Sequence, residues 1–154
     1  MPGAFERALR AKPWLLPFIY EIYSAGGRIE VGELKERLGV RSALLKTAVW
    51  SLARLGVVEK EGRVLRARPS RGEFEALKPA RKGRVFCANL GGVWIVAVPK
   101  RSRVTVRQVP QQLVDRALEV VKRGEVKPLE LAAELGVSYT VALATLRLIQ
   151  AVKD

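Results

Sequence analysis

Two stretches of the chain share one pattern of apolar and polar positions. Residues 27–40, GRIEVGELKERLGV, lie over residues 124–137, GEVKPLELAAELGV, at an offset of 97 residues. Gly27/Gly124, Glu33/Glu130, Leu34/Leu131, Leu38/Leu135, Gly39/Gly136 and Val40/Val137 are identical pairs. Leu34 and Leu38 are four apart and share one helix face. Gly39 follows at once, as a helix C-terminus favours, because glycine takes a positive φ without steric cost. Val40 then fills the turn, and Leu45, Val49 and Leu52 form the apolar stripe of the next helix. Ala142, Leu146 and Ile149 keep that stripe small or apolar in the second copy. A leading helix precedes each copy: Leu15, Leu16, Ile19, Ile22 and Tyr23 between Pro13 and Gly26-Gly27, and Leu113, Ala117, Val120 and Val121 between Pro110 and Gly124. Each unit is therefore expected to hold three helices, with a tight glycine turn between the last two.

Elsewhere the period shortens. Val57-Val58 and Val64-Leu65 flank Glu61-Gly62 and predict a β-hairpin. Residues 69–83 read as a polar connector rich in Arg, Lys and Pro. Three strand-like runs follow, at 84–90, 93–99 and 103–109, joined by Gly91-Gly92 and by the charged turn KRSR at 100–103. They predict a small antiparallel meander. The first two runs are apolar on both faces, so both faces must be covered, by a helical unit or a second subunit. Arg103, Thr105 and Arg107 alternate with Val104 and Val106, which leaves the third strand one wet face. The expected fold is α+β in three segments: 1–68, 69–109 and 110–154.

The stretch IEVGELKERLGVRSALLKTAVWSLARLGVVEKEGRVLRA, within residues 13–68, resembles a winged helix-turn-helix domain of the kind common in bacterial and archaeal transcription regulators. The second copy, at 110–154, is similar to the same three helices without the wing. In such domains the second helix of the pair enters the major groove with its N-terminal residues at base edges. The resemblance thus implies base or groove contacts for Arg41, Ser42, Lys46 and Thr47, and phosphate or minor-groove contacts for Arg63, Arg66 and Arg68 on the wing. Arg54 and Trp50 lie on the same outward face as Lys46 and Thr47. Trp50 either packs beneath the wing or stacks on a base, and packing is the favoured reading.

Charge sharpens this picture. The net charge is +13 and the pI about 10.6, which points to a polyanionic partner. Residues 1–68 carry 13 Lys/Arg against 7 acids, residues 69–109 carry 9 against 2, and residues 110–154 carry 6 of each. Binding by counterion release follows the number of cations set against phosphates, so the first copy is equipped for it and the second is not. Lys78, Arg81, Lys82, Arg84, Lys100, Arg101 and Arg103 are expected to form a continuous phosphate-binding ridge. In the second copy, Tyr139, Leu143, Arg147 and Leu148 are candidates for an exposed apolar patch that holds a partner or a second copy of the chain. The alternative, packing on the chain's own meander, stands equally.

Several chemistries drop out. There is no histidine and a single cysteine, so an internal disulfide, a zinc cluster and His-based acid–base catalysis are not expected. Cys87 lies in the apolar run RVFCANL and reads as a small buried hydrophobe. No phosphate-cradling glycine loop and no carboxylate cluster is present, so neither a cofactor nor an enzymatic activity is expected. The longest apolar run, LGGVWIVAVP, is too short for a membrane-spanning helix, and no signal-peptide pattern is visible. A cytoplasmic, nucleoid-associated protein is the expectation. One asparagine and two aspartates beside abundant Arg and Glu fit a hyperthermophile. The expected function is binding of nucleic acid, duplex DNA in the first place, as a transcriptional regulator or chromatin-associated factor. The alternatives are an RNA- or ribosome-associated protein and a winged-helix adaptor in a larger assembly.

Overall fold

The structure, a computed structural model, describes residues 3–153. The chain folds as a mixed α+β protein with two antiparallel sheets. It opens with α1 (Ala4–Ala11), a 3-10 turn at Pro13–Leu15 and α2 (Leu16–Ser24). Next come β1 (Arg28–Glu30), α3 (Val31–Leu38), α4 (Ser42–Arg54) and the hairpin β2 (Val58–Glu61) and β3 (Val64–Ala67). A short α5 (Arg71–Glu75) leads to β4 (Ala80–Lys82), β5 (Val85–Leu90), β6 (Val93–Pro99) and β7 (Val104–Pro110). The chain ends with α6 (Gln111–Val121), α7 (Pro128–Leu135) and α8 (Tyr139–Lys153).

The repeat is built as its spacing predicts. Gly39 closes α3 at φ +63°, ψ 34°, and Gly136 closes α7 at φ +67°, ψ 36°. A carbonyl left open at each helix end is met by an arginine from elsewhere: Arg84 Nη2 donates to Leu38 O at 2.8 Å, and Arg116 Nη2 to Leu135 O at 3.3 Å. α7 and α8 meet at 110°.

Strand β3 is central in the first sheet, with β1 and β2 on either side. The pairing of Glu61 with Val64 leaves Gly62 and Arg63 as the hairpin loop, one residue later than the expected Glu61-Gly62 turn. The second sheet runs β4-β5-β6-β7 and lies between two helical layers. Alternate residues serve opposite cores. Phe86, Ala88, Leu90, Ile95 and Ala97 pack with the helices of the first copy. Cys87, Trp94, Val96 and Val109 pack with α6, α7 and α8. Both faces of the meander are thus covered, and the two helical units of the same chain do the covering. Gly91 and Gly92, at φ +59° and +95°, form the tight β5–β6 turn, which needs positive φ at both positions.

One local expectation is corrected, and two elements escape the sequence reading. Residues 69–83 are not a plain polar connector. Ser70 and Glu73 form a reciprocal capping box that starts α5. Phe74 then stacks on Tyr23 at 4.7 Å between ring centroids and meets Phe5 and Tyr20 edge-on. Burial of its ring contributes about 2 kcal/mol. The first of these elements is α1, whose Phe5, Ala8 and Leu9 at i, i+3 and i+4 pack beside Phe74 and Tyr23. The second is β1, three residues too short to announce themselves, held by pairing with β3.

Candidate nucleic-acid interface

Helix α4 buries Leu45, Ala48, Val49 and Leu52 and leaves Ala43, Lys46, Thr47, Trp50 and Arg54 exposed, as amphipathic spacing requires. Arg41 occupies the N-cap and provides no side-chain cap, and Ser42 is the first helical residue. At the equivalent place in the second copy, Ser138 Oγ accepts the Val141 N–H at 3.3 Å. Arg41 therefore forgoes a cap and sets a cation at the positive end of the helix, which costs stability.

The start of α4 is docked onto the second sheet. The Arg41 N–H donates to the Arg101 carbonyl at 2.7 Å, in the β6–β7 turn. Arg84 Nη2 bridges Leu38 O and Pro99 O, each at 2.8 Å, and so fixes the α3–α4 turn against the end of β6. Two cation sources 60 residues apart in the chain, Arg41 and Arg101, thereby become neighbours. Among the described residues, the side chains of Arg41, Lys46, Lys60, Arg63, Lys100, Arg101 and Arg103 make no ion pair or hydrogen bond, and all are exposed.

No protein-family profile, curated protein or solved structure matches this chain. The interface therefore rests on its own geometry.

That geometry divides the residues singled out from the sequence. Arg41, Ser42, Lys46, Thr47 and Arg54 share the exposed face of α4, with Thr47 Oγ1 bonded back to Ala43 O at 3.0 Å. Arg63 stands at the hairpin loop. Arg66 and Arg68 are paired within the hairpin to Glu61 at 3.6 Å and Glu59 at 3.7 Å; such exposed pairs are weak and open readily. Lys100, Arg101 and Arg103 belong to the docked turn, and Lys82 is exposed at the same end of the sheet.

The expected continuous ridge is broken at three points. Arg81 is a structural residue: it pairs with Glu21, a carboxylate only 2% exposed, donates to Gly83 O at 2.8 Å and lies 4.8 Å from the Phe86 ring centroid. Arg37 Nη1, 3.4 Å from Glu21, completes the site. Arg84 is spent on the two carbonyls already described. Lys78 lies beside Asn89, Gly92 and Gln111, at the far end of the sheet from the basic turn. That end is five residues along β5 from Arg84, or about 17 Å.

In the second copy the expected apolar patch is also corrected. Leu148 is 1% exposed and belongs to the core that covers the meander. Leu143 and Arg147 are half-buried, Ala144 is buried, and Tyr139 alone of the group is well exposed. α8 lies across the strands of the second sheet, so the stripe read as outward is largely the one that packs. The apolar surface of this unit is elsewhere, in a cavity of about 580 Å³ between α6 and α8, where Leu118 and Val152 are exposed over Trp94.

Two residues escaped the sequence reading. Lys12 Nζ lies 5.6 Å from the Trp50 ring centroid and donates to Ser51 Oγ at 3.1 Å. Lys60, on β2, borders the same side chain across a cleft. Trp50 itself is 58% exposed, so it does not pack beneath the hairpin as expected. Contiguity in sequence could not have joined Lys12 to Trp50, since the approach depends on the path of α1 and the turn after it.

Proposed function

We propose that this protein binds nucleic acid, duplex DNA in the first place, through the exposed face of α4, the β2–β3 hairpin and the basic β6–β7 turn. The observation that carries the reading is the Arg41–Arg101 backbone contact. It brings free cations from two distant segments to the N-terminus of one helix, whose first turn has no side-chain cap. The order helix, short strand, two helices and hairpin, with β1 paired to β3, supports the winged-helix reading of residues 13–68. On that reading α4 enters the major groove and its first turn meets base edges. The turn at 100–103 follows the phosphate backbone, extending the footprint beyond one motif.

The second copy then serves the first. It is electroneutral, and its stripe closes the far side of the sheet that carries the basic turn. A role as transcriptional regulator or chromatin factor, associated with the nucleoid, follows from duplex binding. No helix among the described residues is long and apolar enough to cross a membrane. The test is fluorescence anisotropy with duplex DNA and with structured RNA across a salt series. Duplex affinity should fall steeply with salt, and more tightly bound RNA would replace DNA as the partner. Failure to bind either at low salt would end the reading.

A further inference from the structure

Trp50 is the one large apolar side chain on the exposed face of α4, and its indole is the most exposed large aromatic side chain among the described residues. It borders an open cleft of about 390 Å³ between α4 and the hairpin. Val31, Leu45, Val49 and Ala53 form its apolar part, and Lys46 and Lys60 stand at its rim. Ligand pockets commonly enclose about 300–1,000 Å³, and the cleft lies at the lower end of that range. Around the same ring lie Lys12 Nζ at 5.6 Å and Arg54 Cζ at 5.2 Å from the centroid. No acidic residue lines the cleft.

Two cations lining the cleft and two more over the indole ring select for a ligand that carries both a π-surface and a negative charge. A nucleotide has both, and stacking on an aromatic side chain beside a basic groove is how unpaired bases are held. Paired bases cannot use such a site, because inside a duplex their faces are covered by neighbouring pairs and only their edges are offered. A protein partner with an acidic surface would meet the lysines but leave the indole without a counterpart. We propose that the Trp50 cleft receives a single unpaired nucleobase of the DNA held by α4, stacked on the indole, with its phosphate between Lys46 and Lys60. The protein would thus favour duplex that carries a bulge, a frayed end or a strand junction over uninterrupted duplex. This inference rests on the nucleic-acid reading and names the kind of DNA that reading serves.

The experiment compares a blunt duplex with the same duplex carrying one unpaired nucleotide, for the unaltered protein, Trp50→Ala and Trp50→Phe. The unaltered protein should bind the bulged probe about tenfold more tightly, the scale of one base–aromatic stack. Trp50→Ala should bind the two probes alike, and Trp50→Phe should retain most of the preference. Tryptophan emission should be quenched more by the bulged probe than by the blunt one, and Trp50→Phe should abolish that difference, since Trp14 and Trp94 remain in the variant. Trp50 lies on the surface, and thermal unfolding followed by circular dichroism confirms that each variant is folded. Equal binding of the two probes, or a preference that survives Trp50→Ala, overturns the inference and leaves the duplex reading standing. Binding of neither probe overturns both.

Discussion

Arg41 offers a substitution in which stability and binding should move in opposite directions. At the N-cap of α4 it supplies no cap and sets a positive charge where the helix already presents positive partial charge. Serine at this position can accept an N–H of the first turn, as Ser138 does in the second copy. Gaining such a cap contributes about 1 kcal/mol, and removing the cation from the helix N-terminus about 0.3–1 kcal/mol more. Arg41→Ser should therefore stabilise the protein by about 1–2 kcal/mol, and each kcal/mol raises Tm by about 2–4 °C in a chain of this length. The contact to Arg101 is unaffected, because it uses the backbone N–H. Binding should weaken: one lost phosphate contact makes the slope of log K against log salt shallower by about one, and one lost base contact costs about 1–3 kcal/mol. Thermal melting by circular dichroism and an anisotropy titration in a salt series measure both. A Tm that fails to rise would show that α4 pays nothing for Arg41. A raised Tm with unchanged DNA affinity would show that the arginine has no role in binding.

Other substitutions separate framework from interface. Arg101→Ala should weaken binding to all DNA sequences alike and leave Tm unchanged, measured by anisotropy against a set of unrelated duplexes. Arg81→Ala should do the reverse: with one of two guanidinium partners gone from the buried Glu21, stability should fall by about 2 kcal/mol in urea unfolding, with DNA affinity preserved. Burial raises the Cys87 thiol from its ordinary 9.0 to about 12. Because the fold disfavours the thiolate, this contribution to stability should be complete below about pH 9 and be lost as pH climbs towards 12. Comparing the alkaline unfolding midpoints of the unaltered protein and Cys87→Ala checks this, since the variant should lose less stability over that window. Tyr23, raised by burial and by nearby Glu73, acts in the same direction.

The fold was most legible where periodicity and glycine act together. Leu34, Leu38 and Gly39 announce a helix and its end without help from the rest of the chain, and the same triplet at Leu131, Leu135 and Gly136 repeats the geometry to within a few degrees. The doubly apolar strands β5 and β6 likewise required cover on both faces. The source of that cover could not be read, because whether α8 turns its stripe to water or to a sheet depends on where the sheet lies. Leu148 is the plain case: on a helix apolar nearly all round, spacing alone does not choose the buried side. The basic residues divide in the same way. Charge counts place cations in the first two-thirds of the chain, yet only tertiary structure tells Arg81, spent on Glu21, from Arg101, which is free for a phosphate. Trp50 was visible as an aromatic among cations, but its exposure follows from how far the hairpin stands from α4.

The bond between Arg41 and Arg101 is made by main-chain atoms alone. Any residue but proline can occupy position 41 and still donate it, and any residue at all can accept it at position 101. The spacing between the helix and the basic turn is thus held by the chassis, while the chemistry mounted on it is interchangeable. On the nucleic-acid reading, point changes at 41, 46, 100, 101 or 103 would retune which polymer is gripped, and how firmly, with no alteration to the frame that aims them.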